Sequence, residues 1–141
     1  MRTVPKLNLD DANNIVSACI DKALEIGVDM DIAITDDGGH LIAFQRMDGA
    51  RITSIAIAID KAFTASAARK STREYGLAAQ PGQPAYGINT SSQGRFSLIA
   101  GGIPLFANEI IVGGVGCSSG HPDQDEVVAQ AGVDLFLKII A

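Results

Sequence analysis

The chain has 141 residues, of which 47% are hydrophobic and 19% charged, a composition typical of a single globular domain. Its net charge of −5 argues against a nucleic-acid partner, because such binding relies on neutralising phosphates. No run of 18 apolar residues is present, and the N-terminus lacks the apolar segment of a signal peptide. We therefore expect one domain over residues 1–141, a cytoplasmic location and no membrane partner.

The two cysteines, Cys19 and Cys117, lie far apart in the sequence. In a cytoplasmic protein such a pair is expected to stay reduced. No C-x-x-C or H-x-x-x-H spacing occurs, which argues against a closed zinc site. We therefore expect no dedicated metal site, and mixed ligation by a histidine with Asp125 or Glu126 stays open as an alternative.

The first half of the sequence predicts a helix, a hairpin and a second helix. Apolar residues recur at helical spacing over 9–26, with Asn8 as N-cap and Gly27 as C-cap. Residues 31–35 and 40–46 alternate as strands do, and a turn rich in Asp and Gly joins them. Asp48 is expected to cap a helix that begins near Ala50.

That second helix, residues 52–68, is apolar or small on almost every side and is therefore expected to be largely buried. A short helix is predicted after Ser71. Residues 76–95 are rich in Gly and Pro and predict a long loop, with one helical turn around Tyr86. The loop is either a functional lid, in which Tyr86 contacts a ligand, or a surface excursion that Tyr86 anchors.

The second half of the sequence predicts three strands and a helix. The strands are expected at 96–100, 105–107 and 110–117, and Gly101 to Pro104 should break the first of them. Asp123 and Glu126 resemble a capping box for the final helix. Short connections require antiparallel neighbours, so we predict an α/β domain of the α+β type with a five-stranded antiparallel sheet.

Two cations are the main candidates for ligand binding. Lys61 lies in the buried helix, where it could bind an anionic group, act as a base, or pair with a carboxylate such as Asp36. Arg46 ends a strand, and its guanidinium suits a carboxylate or propionate, although a salt bridge to Asp48 or a helix cap would also explain it.

Further candidates come from the histidines, a cysteine and the glycine pairs. His121 lies between a glycine-rich strand and a helix start and is a better ligand candidate than His40, which lies at a hairpin. Gly101 and Gly102 could form an anion-binding backbone nest. Cys117 could be a nucleophile near a helix N-terminus or a buried small side chain.

An ordered set of motifs resembles the heme-degrading-domain family, which includes GlcG-, HbpS- and PduO-type proteins. The resemblance spans about residues 7–140, and no single motif is specific. The loop at Gln80–Gln83 and Tyr86 further resembles the small OrfY-like members. The motifs that carry the resemblance are D-x-G-G from Asp36, R-M-D-G-A from Arg46, K-A-x-T-A from Lys61, G-G-x-P from Gly101 and V-G-G-V-G from Val112.

The resemblance implies a profilin-like three-layer α/β/α domain that oligomerises as dimers or larger assemblies, up to octamers. It also implies heme or a corrinoid as a cofactor, since some members bind one. We therefore expect an oligomeric small-molecule-binding protein, heme- or corrinoid-related.

Two alternatives to this function stay open. One is a lyase, isomerase or hydrolase that acts on an organic acid through Lys61, Arg46 and nearby carboxylates. The other is a purely structural accessory subunit. The predicted ligand-binding residues are Arg46, Lys61, Tyr86, Gly101, Gly102 and His121.

Overall fold

The computed structural model describes residues 1–141 and contains four α-helices and one antiparallel sheet of four strands in the order β2-β1-β4-β3. Two short 3-10 helices, Ile88–Thr90 and Ser92–Gly94, interrupt the loop before β3. The elements are α1 (Leu9–Ile26), β1 (Asp31–Asp36), β2 (Leu41–Arg46), α2 (Ser54–Ala68), α3 (Thr72–Ala78), β3 (Gly102–Ala107), β4 (Ile110–Ser118) and α4 (Pro122–Ile140).

The predicted sheet of five strands is wrong by one strand. Residues 96–100 form no strand, and Ser97 instead donates its backbone N–H to the Thr64 hydroxyl of α2. The strand that follows is β3, which begins at Gly102 and continues through Pro104. Proline is tolerated there because β3 is an edge strand, where a missing backbone donor costs no ladder hydrogen bond.

The first helix has the predicted bounds, and each strand of the hairpin differs from its predicted bounds by one residue. Asn8 and Asp11 form a reciprocal capping box, and Gly27 ends α1 in the left-handed conformation with φ 72°. In the turn between β1 and β2, the Asp36 carboxylate accepts the backbone N–H groups of Gly38 and His40. These local contacts are of the kind that sequence patterns encode directly.

One face of the sheet packs against α1 and α4 and forms the main core. Ile32 and Ile34 of β1 and Val115 and Cys117 of β4 point to this face, because side chains alternate along each strand. The other buried members of this core are Ala12, Ile15, Val16, Cys19, Ala23, Met30, Leu105, Val112, Val128, Ala129, Val133 and Phe136.

The opposite face of the sheet packs against α2 through small residues. Ala33 of β1 forms a buried cluster with Ala58 and Ala62. A Cβ on Gly116 of β4 would overlap the carbonyl oxygen of Ala58. The helix backbone therefore lies almost directly on the strand, and the molecule has three layers, with α1 and α4 on one side of the sheet and α2 on the other.

Two helix starts differ from the prediction. The second helix begins at Ser54 without any side-chain cap, so Asp48 does not cap it. The capping box of α4 consists of His121 and Gln124 rather than Asp123 and Glu126. Proline at the first position of α4 fixes a helical φ in advance, which favours this start. None of the helices combines the length and the apolar character needed to cross a bilayer.

Candidate functional site

One end of the sheet collects several of the predicted ligand-binding residues. Arg46 ends β2, and His121 follows the end of β4 as the N-cap of α4. In the strand register, Asp31 lies opposite Arg46 on one side and Ser118 on the other. Three adjacent strands therefore present Arg46, Asp31 and Ser118 side by side, and we call these three residues the sheet-end row.

The sheet-end row lies on the face that α2 covers. Asp31 shares a face with Thr35, because side chains two apart on a strand point the same way. Thr35 donates its hydroxyl to the carbonyl oxygen of Ala62, while Ala58 lies against Gly116 farther along the strands. The N-terminus of α2 therefore lies toward the sheet-end row.

Lys61 is buried and paired. Its side chain is 1% exposed, and its Nζ donates to the Oδ2 of Asp125 at 2.9 Å and to the carbonyl oxygen of Cys117 at 2.9 Å. The other carboxylate oxygen of Asp125 accepts the N–H of Gly120. The carboxylate partner of Lys61 is thus Asp125, not Asp36. Its ammonium holds α2, β4 and α4 together.

Burial raises the pKa of the Asp125 carboxyl above its ordinary value, although hydrogen bonding and attraction from Lys61 oppose this shift. The ion pair is nevertheless well satisfied, since both of its carboxylate oxygens accept a hydrogen bond. A satisfied buried pair of this kind fixes the geometry of the elements that carry it.

Gly101 and Gly102 close around Lys61 and form no open anion nest. A Cβ on Gly101 would lie 2.6 Å from the carbonyl oxygen of Cys117 and 2.8 Å from Nζ of Lys61. A Cβ on Gly102 would lie 2.6 Å from the Thr72 side chain. The two glycines are required by this close packing, and the Gly102 N–H is already bonded to the Thr72 hydroxyl.

Arg46 is exposed and takes part in no ion pair, so the predicted salt bridge to Asp48 does not form. Arg51 lies in the connection from β2 to α2. Its backbone N–H and guanidinium bind the hydroxyl and carbonyl oxygen of Ser119. The guanidinium of Arg46 is therefore the free cation at this end of the sheet.

Asp31 is a residue that the sequence reasoning missed as a candidate. Its side chain is 0% exposed, and neither carboxylate oxygen has a hydrogen-bond partner. Burial raises the pKa of the Asp31 carboxyl, and attraction to Arg46 only partly offsets this. The signal in the sequence is a charged residue directly before the apolar run of residues 32–34, on the same strand face as Ala33 and Thr35.

The remaining candidates lie apart from one another. Tyr86 is 69% exposed on the long loop, and the Nδ1 of His121 accepts the N–H of Asp123. His40 lies at the β1–β2 turn, at the other end of β1, so about 17 Å separates the two histidine positions along the sheet. One chain therefore cannot bring both histidines to one ligand.

The two cysteines are fully buried in the core. Burial, followed by contact with Cys19, raises the pKa of the Cys117 thiol well above its ordinary value. A thiol without solvent access or thiolate character is a packing residue rather than a nucleophile. No three His, Cys, Asp or Glu side chains are arranged to hold a metal ion.

A groove runs between α2 and the segment that leads to β3, and we call it the α2 groove. It encloses about 320 Å³, with apolar walls from Ile57, Phe96, Leu98 and Ile99. At its edge, the Nε of Arg95 donates to the Asp60 carboxylate at 3.0 Å, and the guanidinium stacks on Phe63. The groove thus combines an apolar wall with a few polar groups, among them the paired Arg95 and Asp60, as sites for small molecules do.

Comparisons with known proteins place the fold and the family. Residues 7–134 match the family described as haem degrading protein HbpS-like. The crystal structure of Klebsiella pneumoniae ORFY superposes with a TM-score of 0.94 at 36% identity, covering 97% of this chain and 94% of that one.

Two further similarities concern PduO. A crystal structure of a PduOC:heme complex superposes with a TM-score of 0.88 at 31% identity, over 92% of this chain and 94% of that chain. The corrinoid adenosyltransferase PduO of Salmonella typhimurium is 32% identical over 90% of this chain, which spans only 38% of that enzyme. The family match covers most of the sequence, and the chain belongs to the HbpS-like family of haem-degrading proteins.

Proposed function

We propose that this protein is an oligomeric small-molecule-binding protein whose ligand is a tetrapyrrole, heme or a corrinoid. The observation that carries the proposal is the structural similarity to the PduOC:heme complex over 92% of the chain. The similarity to a corrinoid adenosyltransferase supports the same class of ligand. On this proposal the three layers are those of a profilin-like domain.

The α2 groove is the proposed ligand-binding surface. Its apolar walls suit the face of a macrocycle, and the terminal N–H groups of Arg95, whose Nε is bonded to Asp60, are left to donate to a propionate. Tyr86 lies on the same long loop and contacts the ligand when the loop closes as a lid.

The groove lining fits the macrocycle but includes no histidine, cysteine, methionine or tyrosine side chain that could bind iron. A metal ligand must therefore come from elsewhere. His121 of a second copy is the proposed donor, which places the ligand between subunits and makes a dimer or a larger assembly, up to an octamer, part of the function.

Titration with hemin tests this proposal. A Soret band that saturates at a fixed ratio of hemin to protein is expected, together with a multimer in light scattering. Ile99→Glu, at a position 51% exposed in the groove, should weaken binding at least about tenfold, because a charge cannot lie against an apolar macrocycle.

Leu137→Glu on α4, at a position 48% exposed, is the matched control and should bind hemin as the unmodified protein does. Hydroxocobalamin titrated in the same way distinguishes a corrinoid from heme. A monomer that changes neither spectrum would rule out the proposal, and equal losses in both variants would rule out the groove.

A second candidate function is an enzyme, a lyase, isomerase or hydrolase, that acts on a small organic acid. The free guanidinium of Arg46 beside the unpaired carboxylate of Asp31 favours it, because a carboxylate substrate needs such a cation and proton transfer needs such an acid or base. Weak binding of propionate that Arg46→Gln abolishes would support this candidate.

A further inference from the structure

We infer that the sheet-end row is a binding site for a small zwitterion, a molecule that carries a carboxylate and a primary ammonium group a few bonds apart. The ammonium binds Asp31, and the carboxylate binds Arg46. This inference deepens the second candidate function, from which it takes Arg46 as the carboxylate-binding residue, and it requires no turnover.

The first step of the argument is that Asp31 needs a partner. Buried polar groups in folded proteins are almost always hydrogen-bonded, and a buried charge is tolerated when it is paired. Asp31 is fully buried with two unbonded oxygens. Asp125, the other buried carboxylate, has both oxygens bonded. The contrast marks Asp31 as the carboxylate whose partner comes from outside the chain.

The second step is that Arg46, the cation directly across from Asp31 in the strand pairing, has no ion-pair partner. Arg46 lies directly across from Asp31 in the β1–β2 pairing, so the two side chains leave the same face of the sheet at adjacent positions. Arg46 forms no ion pair and reaches toward solvent from the edge strand. A recessed anion and an exposed cation side by side match the two charges of a zwitterion.

The third step is access to the recessed carboxylate. The N-terminus of α2 lies toward this end of the sheet and has no side-chain cap, and the N–H groups of Ser54 and Ile55 are bonded to the backbone carbonyls of Arg51 and Ile52 instead. The connection from β2 is fastened by Arg51 to Ser119, and Ile52 beside it is 73% exposed. The inference therefore requires the first turn of α2 to move aside when a small ligand reaches Asp31.

A matched set of three probes tests the inference in the full-length protein. β-Alanine carries both charged groups, propionate carries the carboxylate alone and n-propylamine carries the ammonium alone. Titrations by calorimetry or ligand-observed NMR should show that β-alanine binds at least about tenfold more tightly than either single-charge probe, since charge-assisted hydrogen bonds form at both ends.

Two substitutions separate the roles of the two residues. Asp31→Asn should abolish the preference for β-alanine over propionate while the protein stays folded, because the amide keeps the shape and removes the charge. Arg46→Gln should abolish binding of both carboxylates. The control, Asp48→Asn, changes an exposed neighbour outside the row and should leave all three affinities unchanged.

Equal affinity for β-alanine and propionate would overturn the inference, and so would a preference for β-alanine that survives in Asp31→Asn. If propionate still binds through Arg46 in either case, the second candidate function stands without the zwitterion. If no probe containing a carboxylate binds, both fail together at Arg46, whereas the tetrapyrrole proposal is tested separately by the hemin titration.

Discussion

The Nζ of Lys61 lies 2.9 Å from the Oδ2 of Asp125, and both charges are buried. The pair connects residues 64 positions apart in the sequence and joins α2 to the first turn of α4. Because Lys61 also donates to the carbonyl oxygen of Cys117, the same ammonium fixes the end of β4. The pair therefore acts as a structural connection among three elements.

Removing Lys61 should be severely destabilising. In Lys61→Met the Asp125 carboxylate stays buried without its cation, and such changes typically cost about 3–5 kcal/mol. Denaturant unfolding followed by circular dichroism measures the loss. The double variant Lys61→Met with Asp125→Asn should recover part of it, since no unpaired charge is then buried. A single variant as stable as the unmodified protein would contradict this role.

Asp31→Asn should stabilise the free protein at neutral pH, by roughly 1–3 kcal/mol, because it removes a buried carboxylate without a partner. Burial raises the pKa of Asp31 in the folded protein above its ordinary value of 3.8. Below pH 3.8 the carboxyl is protonated whether the chain is folded or unfolded, so the variant gains nothing there.

As the pH rises above 3.8, the Asp31 carboxyl ionises in the unfolded chain before it does so in the folded protein. The unmodified protein therefore loses stability until the pH has passed the pKa of Asp31 in the folded protein. The advantage of Asp31→Asn should therefore grow from pH 3.8 toward neutrality, which unfolding curves at several pH values will measure. The exposed control Asp48→Asn should show no such growth. An advantage that is constant with pH would argue against a raised pKa.

Gly116→Ala should destabilise the protein by about 1–3 kcal/mol, the usual cost of overpacking. The added Cβ would overlap the carbonyl oxygen of Ala58, and a backbone atom cannot move aside as a flexible side chain can. Gly38→Ala is the control, since its Cβ would meet side-chain atoms alone, the exposed ring of His40 at 3.0 Å and the Asp36 carboxylate at 3.5 Å. Thermal unfolding should show a large loss of stability for Gly116→Ala and none of similar size for Gly38→Ala.

Hydrogen exchange should identify the long loop as the segment that responds to a tetrapyrrole. Most backbone hydrogen bonds of residues 80–95 are short-range turns, so these amides should exchange quickly in the free protein. Hemin bound in the α2 groove should slow exchange over 88–99, while α1 and α4 keep their rates. Unchanged exchange in the loop would favour a surface excursion over a lid.

Sequence patterns predicted those elements whose boundaries are set locally. Helix α1 was predicted at 9–26 and lies at Leu9–Ile26, because its periodicity and its caps at Asn8 and Gly27 are all local signals. The prediction of a strand at 96–100 was wrong because an apolar run of residues does not reveal whether a neighbouring strand is there to pair with it. The strand through Pro104 was missed because the sequence does not reveal that β3 lies at the edge.

The candidate site was predictable only in part for a similar reason. The motif from Arg46 was visible in the sequence, and Lys61 was visible as a charge within an otherwise apolar helix. The pairing of Lys61 with Asp125 and the alignment of Asp31 with Arg46 depend on strand register and helix packing. Such long-range relationships leave no trace in the spacing of residues along one chain.

The direct contact of the α2 backbone with Gly116 divides the molecule into two regions of unequal tolerance to mutation. Between the sheet and α1 or α4, large aliphatic side chains can exchange for one another if their total volume is kept. At the contact points between the sheet and α2, which are Gly116 and the cluster of Ala33, Ala58 and Ala62, almost no side-chain volume exists to redistribute. In a saturation mutagenesis library, therefore, substitutions that retain the fold should be frequent in the core between the sheet and α1 or α4. At the contact points between the sheet and α2, only glycine and alanine should be tolerated.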